Sequence, residues 1–216
     1  MRVNEETALF AGPAGPLEVI VENPGAARAA RGIALVCHPH PLFGGNNTNK
    51  VTQTLARTFT QLGYVALRPN FRGVGQSAGK HDKGDGETAD MLAVIAEARR
   101  RFGELPVVLA GFSFGAFVQT CVGEALAQEG HPAERLVLVG TASGEISGDR
   151  RYAPGRVAEN TLVIHGSADE TVPLANVLAW AQGQDLPVVV VAGADHFFHR
   201  RLHVIRGIVA RAWPPR

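Results

Sequence analysis

At 216 residues and 22.9 kDa the chain can bury one ordinary hydrophobic core without disulfides or metals and is short for two, so one domain over residues 1–216 is expected. Its 21 basic and 20 acidic residues leave a net charge of +1, which excludes a global field drawing it to nucleic acid or to an anionic membrane. Only two cysteines, Cys37 and Cys121, both inside apolar stretches, exclude a disulfide framework; they read as core residues in a reducing compartment.

The stretch Met1 to Phe10 carries Glu5 and Glu6 and lacks the apolar run of a secretory signal, and no later segment reaches the ~18 apolar residues of a membrane span. A cytoplasmic protein is expected. Next, Gly12-Pro13 and Gly15-Pro16 separate two short apolar runs, which predicts an antiparallel hairpin at one sheet edge. Short β-branched runs follow at Ile33–Cys37, Tyr64–Leu67, Val107–Ala110, Leu136–Val139, Leu162–Ile164 and Val188–Val191, as in strands buried on both faces. Between them the spacings Val51, Leu55, Phe59, then Leu92, Ile95, Ala96, then Phe117, Cys121, Ala125, and last Leu202, Ile205, Val209 predict helices. Arg99 to Arg101, just before Gly103, fit a helix C-terminus, where cations complement the dipole. The sum is a mixed, mainly parallel sheet flanked by helices, whose ligands bind beyond the carboxyl ends of the strands.

One strand end carries Gly111-Phe112-Ser113-Phe114-Gly115, a G-x-S-x-G string between a buried strand and a helix. Such a turn lifts the serine hydroxyl above the sheet and puts a helix N-terminus beneath developing negative charge. A serine hydroxyl is a weak nucleophile at neutral pH, so it needs a base held in one tautomer by a third group. Two later strand ends supply these in order: His165-Gly166-Ser167-Ala168-Asp169-Glu170 and Gly193-Ala194-Asp195-His196-Phe197-Phe198. Ser113, Asp169 and His196 are therefore the candidate nucleophile, acid and base, with Glu170 and Asp195 as neighbouring alternatives for the acid. Gathering of His38, His40, His165, His196 and His199 around a metal is the rival reading. It is set aside for want of acidic ligands, and His38, His165 and His199 are read as hydrogen-bonded scaffold. Neither metal nor cofactor is expected. The string Asn70-Phe71-Arg72-Gly73-Val74-Gly75 lacks phosphate-loop spacing and is read as a loop bordering the site.

Together with His38-Pro39-His40-Pro41-Leu42-Phe43-Gly44-Gly45, these strings resemble the α/β-hydrolase superfamily, and within it small bacterial hydrolases, over roughly residues 30 to 200. The resemblance implies an α/β-hydrolase fold with a mostly parallel eight-stranded sheet and an antiparallel second strand. It also implies carboxylesterase-like chemistry at Ser113, Asp169 and His196. Pro39 departs from the glycine common after the loop histidine. One oxyanion donor is expected to be the Phe114 N–H; for the other, proline lacks an N–H, which leaves His40 first and Leu42 second. About twenty residues separate Val139 from Leu162, too few for a helical lid of roughly 40, so no lid domain is expected. Leu42, Phe43, Phe114, Phe197 and Phe198 form the expected apolar rim, with Phe43, Phe197 and Phe198 as substrate contacts. The expected function is hydrolysis of small or short-chain apolar esters through an acyl-enzyme. Acyl transfer, small-peptide cleavage, or ligand binding without turnover are the alternatives. The expected partner is a small-molecule ester, not nucleic acid or membrane; the sequence leaves the oligomeric state open and is compatible with a monomer.

Overall fold

The computed structural model describes residues 4–25, 29–146 and 150–213; of the N-terminal stretch discussed above, Met1–Val3 lie outside the described residues. Two nine-residue strands, β1 (Asn4–Gly12) and β2 (Gly15–Asn23), pair antiparallel around the Gly/Pro turn, as the sequence predicts. β3 (Gly32–Cys37), β4 (Tyr64–Pro69), β5 (Val107–Phe112), β6 (Arg135–Val139), β9 (Leu162–Gly166) and β10 (Val188–Val191) complete a sheet of order β1-β2-β4-β3-β5-β6-β9-β10. β2 runs antiparallel to both its neighbours, and every pair from β4 to β10 is parallel. This is the α/β-hydrolase fold.

β3, β4 and β5 are buried along their whole length, which is why they read as unbroken apolar runs. One core lies beneath α2 (Asp85–Phe102), α3 (Phe114–Gln128) and α4 (Leu174–Gln182). A second lies on the opposite face under α1 (Lys50–Gln61) and α5 (Leu202–Ala212). Each Val or Leu placed there contributes roughly 1.5–3 kcal/mol by leaving water. Among the described residues no helix is long and apolar enough to cross a membrane.

Two helix faces differ from expectation. In α2 the buried stripe is Met91, Val94, Ile95 and Ala98, while Ala96 faces outward. In α3 it is Phe114, Val118, Val122 and Leu126, with Phe117, Cys121 and Ala125 only half-buried. The first turn of α3 is packed against the Cys37 and His38 carbonyls at the end of β3, and consecutive residues of the helix are buried, so its apolar belt is too broad for spacing to fix its phase. The sequence reading also passed over α4 and the small antiparallel pair β7 (Gly144–Ile146) and β8 (Arg150–Tyr152). No lid helix is described between β6 and β9; that ribbon stands there.

Register aligns the carboxyl ends that matter. Cys37 pairs with Gly111, Phe112 with Val139, Val139 with Ile164, and Gly166 with Val191. The loops after β3, β5, β6, β9 and β10 therefore open on one rim.

Candidate functional site

Ser113 stands between β5 and α3 at φ 56°, ψ −118°, a conformation that costs a non-glycine residue on the order of 1–3 kcal/mol. Its surroundings enforce the turn. The Ser113 N–H donates to the Val139 carbonyl at 2.9 Å, and the Ser113 carbonyl accepts from Ala116 at 3.0 Å and Ala142 at 3.2 Å. Gly111 and Gly115 are required by close approach: a Cβ on Gly111 would strike the Gly115 carbonyl, and one on Gly115 the His38 and Cys37 carbonyls.

Asp169 and His196 come from the loops after β9 and β10. These loops are laced together by Gly193 N–H to Ser167 Oγ at 2.7 Å and Ala168 N–H to the Ala194 carbonyl at 3.0 Å. His196 Nδ1 lies 2.7 Å from Asp169 Oδ2, and His196 Nε2 lies 3.0 Å from Ser113 Oγ. All three residues are buried. The carboxylate keeps a tautomer with the proton on Nδ1, so Nε2 presents its lone pair to the serine hydroxyl. Asp169 Oδ1 is fixed separately by the N–H groups of Thr171 at 2.9 Å and Val172 at 2.8 Å. Such an array can take a proton from Ser113 and stabilise the imidazolium that results. Of the alternative acids, Glu170 is exposed, and Asp195 bonds outward to His199, at 3.0 Å to its N–H and 2.7 Å to its Nδ1.

The loop after β3 bears on the choice of amide left open by Pro39 and Pro41. His40 caps a short 3-10 turn over Pro41–Phe43, and its Nδ1 accepts the Leu42 N–H at 3.2 Å. Leu42 is therefore corrected as an oxyanion donor, because its amide is already engaged. Among the described residues, neither the His40 nor the Phe114 N–H donates to a backbone carbonyl. Phe114 opens α3, where the helix dipole favours an anion.

Beneath the loop His38 is wholly buried. Its Nδ1–H donates to the Pro39 carbonyl at 2.6 Å and its Nε2 accepts the Phe71 N–H at 2.9 Å, which ties the β3 loop to the β4 loop. Burial pushes His38 down to about 4 and His40 likewise to about 4, so both are neutral at pH 7. His165 lies under Asp169, its Nε2 3.0 Å from the Val172 carbonyl and 3.5 Å from Asp169 Oδ2, and burial lowers its pKa too. His38 and His165 are scaffold, as expected; His199 is an exposed surface residue paired with Asp195.

Three of the five rim residues expected from the sequence are exposed. Leu42 is 71% exposed, Phe43 68% and Phe197 46%, whereas Phe114 and Phe198 are buried. Phe198 is corrected as a substrate contact: at φ 52° the chain turns its ring into the core beside Ile205 and Val209. Three residues near Phe114 went unremarked in the sequence. Glu87 is fully buried and bonds His81 Nδ1 at 2.7 Å and the Gly84 N–H at 2.9 Å; Tyr152 packs its ring 5.9 Å from that of Phe114. A glutamate three residues after Gly84 is a legible helix-start signal, but the imidazole it holds is not.

Residues 28–154 match the Hydrolase_4 family model, described as "Serine aminopeptidase, S33". The chain is 32% identical over 200 residues to an uncharacterized protein of Rickettsia prowazekii (strain Madrid E), covering 88% of this chain and 80% of that one. Its fold is similar to that of an alpha-beta serine hydrolase homologue from Coxiella burnetii, with a TM-score of 0.83, 36% identity and 99% of each chain covered. It is likewise similar to an a/b serine hydrolase without lid from Xanthomonas campestris, with a TM-score of 0.81, 34% identity and 98% and 94% of the two chains covered. On fold, strand-end geometry and sequence together, the chain belongs to the Hydrolase_4 family of the α/β-hydrolase superfamily.

Proposed function

We propose that the protein is a serine carboxylesterase acting on small, short-chain esters through an acyl-enzyme. The observation that carries this reading is the hydrogen-bonded series Ser113 Oγ, His196, Asp169 at 3.0 and 2.7 Å. Ser113 Oγ attacks the ester carbonyl as its proton passes to His196 Nε2, and a C–O bond forms. The His40 and Phe114 amides hold the oxyanion, and Asp169 steadies the imidazolium. Collapse breaks the bond to the alcohol, which leaves with the proton from His196. Water then repeats the sequence, releasing the acid and restoring Ser113.

The exposed side chains of Leu42, Phe43 and Phe197 favour a partly apolar substrate, and the lack of a lid helix among the described residues between β6 and β9 favours an open site. The description of the matching family favours one second reading, cleavage of a small peptide by the same steps. A series of p-nitrophenyl esters graded by acyl length, beside aminoacyl p-nitroanilides, separates the two. Turnover of short esters, absent in Ser113→Ala, is expected; turnover confined to the anilides would favour the peptidase, and turnover of neither would remove both.

A further inference from the structure

We propose that the groove between α1 and α5 is a second binding site, which takes the phosphate group of a small phosphomonoester. The groove shares no residue with the Ser113 site and does not depend on the esterase reading.

The two helices pack against each other on one face of the sheet. Between them lies a cavity of about 220 Å³, lined by Thr54, Arg57 and Gln61 of α1 and by Leu202, His203 and Arg206 of α5. Arg57, Gln61, His203 and Arg206 are exposed. Neither helix contains an aspartate or a glutamate, over Lys50–Gln61 or over Leu202–Ala212. Two guanidiniums, one from each wall, therefore line one cavity to which neither helix brings an acid.

Arginines elsewhere in the chain are paired. Arg68 meets Glu5 and Glu22, Arg72 meets Asp82 and Asp90, and Arg100 and Arg101 share Glu97. Among the described residues Arg57 and Arg206 form no ion pair. The charge of Arg57 reaches Glu22, but that buried carboxylate already accepts from Arg68 Nε at 2.7 Å.

The donors decide the ligand class. A guanidinium presents a planar fork that matches phosphate oxygens, and a phosphomonoester carries about −1.5 to −2 charges at pH 7 on three acceptor oxygens. Such a dianion compensates both arginines, whereas a single carboxylate leaves one charge over. The Gln61 amide and the His203 ring add N–H donors, the ring in either tautomer. The Thr54 hydroxyl proton is committed to the Lys50 carbonyl at 2.7 Å, so Thr54 supplies wall. Half-buried Leu202 gives the carbon part of the ligand an apolar side. At about 220 Å³ the cavity lies below the ~300 Å³ from which pockets for drug-sized ligands begin, which favours a phosphate on a short carbon chain over a whole nucleotide.

The test is calorimetric titration of the full chain with glycerol 3-phosphate, against glycerol plus sodium chloride at matched ionic strength. Binding to one site is expected, weakened about 10- to 100-fold in Arg57→Met and in Arg206→Met. Lys80→Met, which removes an exposed cation from the loop before α2, should leave it unchanged. Both arginines are exposed, so the variants should keep the fold, and their urea midpoints check this. Sedimentation with vesicles of phosphatidylcholine and phosphatidic acid forms a second arm. Vesicle binding lost in both arginine variants, without binding of glycerol 3-phosphate, supports the same site with the phosphate on a lipid headgroup. Binding in neither arm, binding indifferent to both arginine variants, or an equal loss in Lys80→Met overturns the proposal and leaves the esterase reading untouched.

Discussion

His196 Nδ1 and Asp169 Oδ2 meet at 2.7 Å, and the other oxygen of that carboxylate is held by the Thr171 and Val172 amides. Asp169 is thus built into the loop before it touches the imidazole. Asp169→Asn keeps the loop bond through its Oδ1 but favours the wrong histidine tautomer, and kcat is expected to fall by about 10³- to 10⁴-fold. Asp195→Asn, one residue before His196, should change kcat less than about threefold, because Asp195 bonds outward to His199. Steady-state kinetics on the two variants would contradict the assignment if their effects were reversed.

Ser113 holds a positive φ that glycine tolerates far better. Ser113→Ala and Ser113→Gly should both lose about 10⁴-fold or more in kcat. Yet Ser113→Gly should be more stable than Ser113→Ala by on the order of 1 kcal/mol in urea unfolding. Equal stabilities would mean that the turn is not strained at this residue.

The adjacent phenylalanines should separate cleanly. Phe198→Ala empties a core position and should cost about 3–5 kcal/mol in unfolding free energy. Phe197→Ala, at the rim with its ring 5.1 Å from that of His196, should cost less than about 1 kcal/mol and appear mainly as a raised KM.

Acid stability should depend on His38. Its folded pKa, about 4, lies below the ordinary 6.5, so between these values the unfolded chain binds more protons. Stability from this group is present above pH 6.5 and is lost as pH falls towards 4, by on the order of 3 kcal/mol. His38→Gln, which removes the titrating group, should show a shallower decline over that window in urea midpoints taken at several pH values. Parallel curves for wild type and variant would show that His38 is not the neutral, buried bridge between the two loops.

How much of this was legible in sequence follows from what is local. β5 reads as a strand because both its faces are buried, and the turn at Ser113 reads because Gly111 and Gly115 have no room for a side chain. Asp169 and His196 follow from chain order and strand ends. The direction of Phe198 is not legible, since a single positive φ reverses it relative to Phe197. The engagement of the Leu42 amide depends on the His40 ring folding back over its own turn. His81 meets Glu87, His40 and Phe114 only through a long loop between β4 and α2, and no periodicity carries that information. The β7–β8 ribbon is too short to leave a pattern.

The central claim is tested most directly by reacting the protein with a fluorophosphonate and mapping the adduct by peptide mass. One adduct is expected, on Ser113, formed at least about 100-fold more slowly in His196→Ala. An adduct on a different residue, or a Ser113 reaction rate indifferent to the loss of His196, would contradict it.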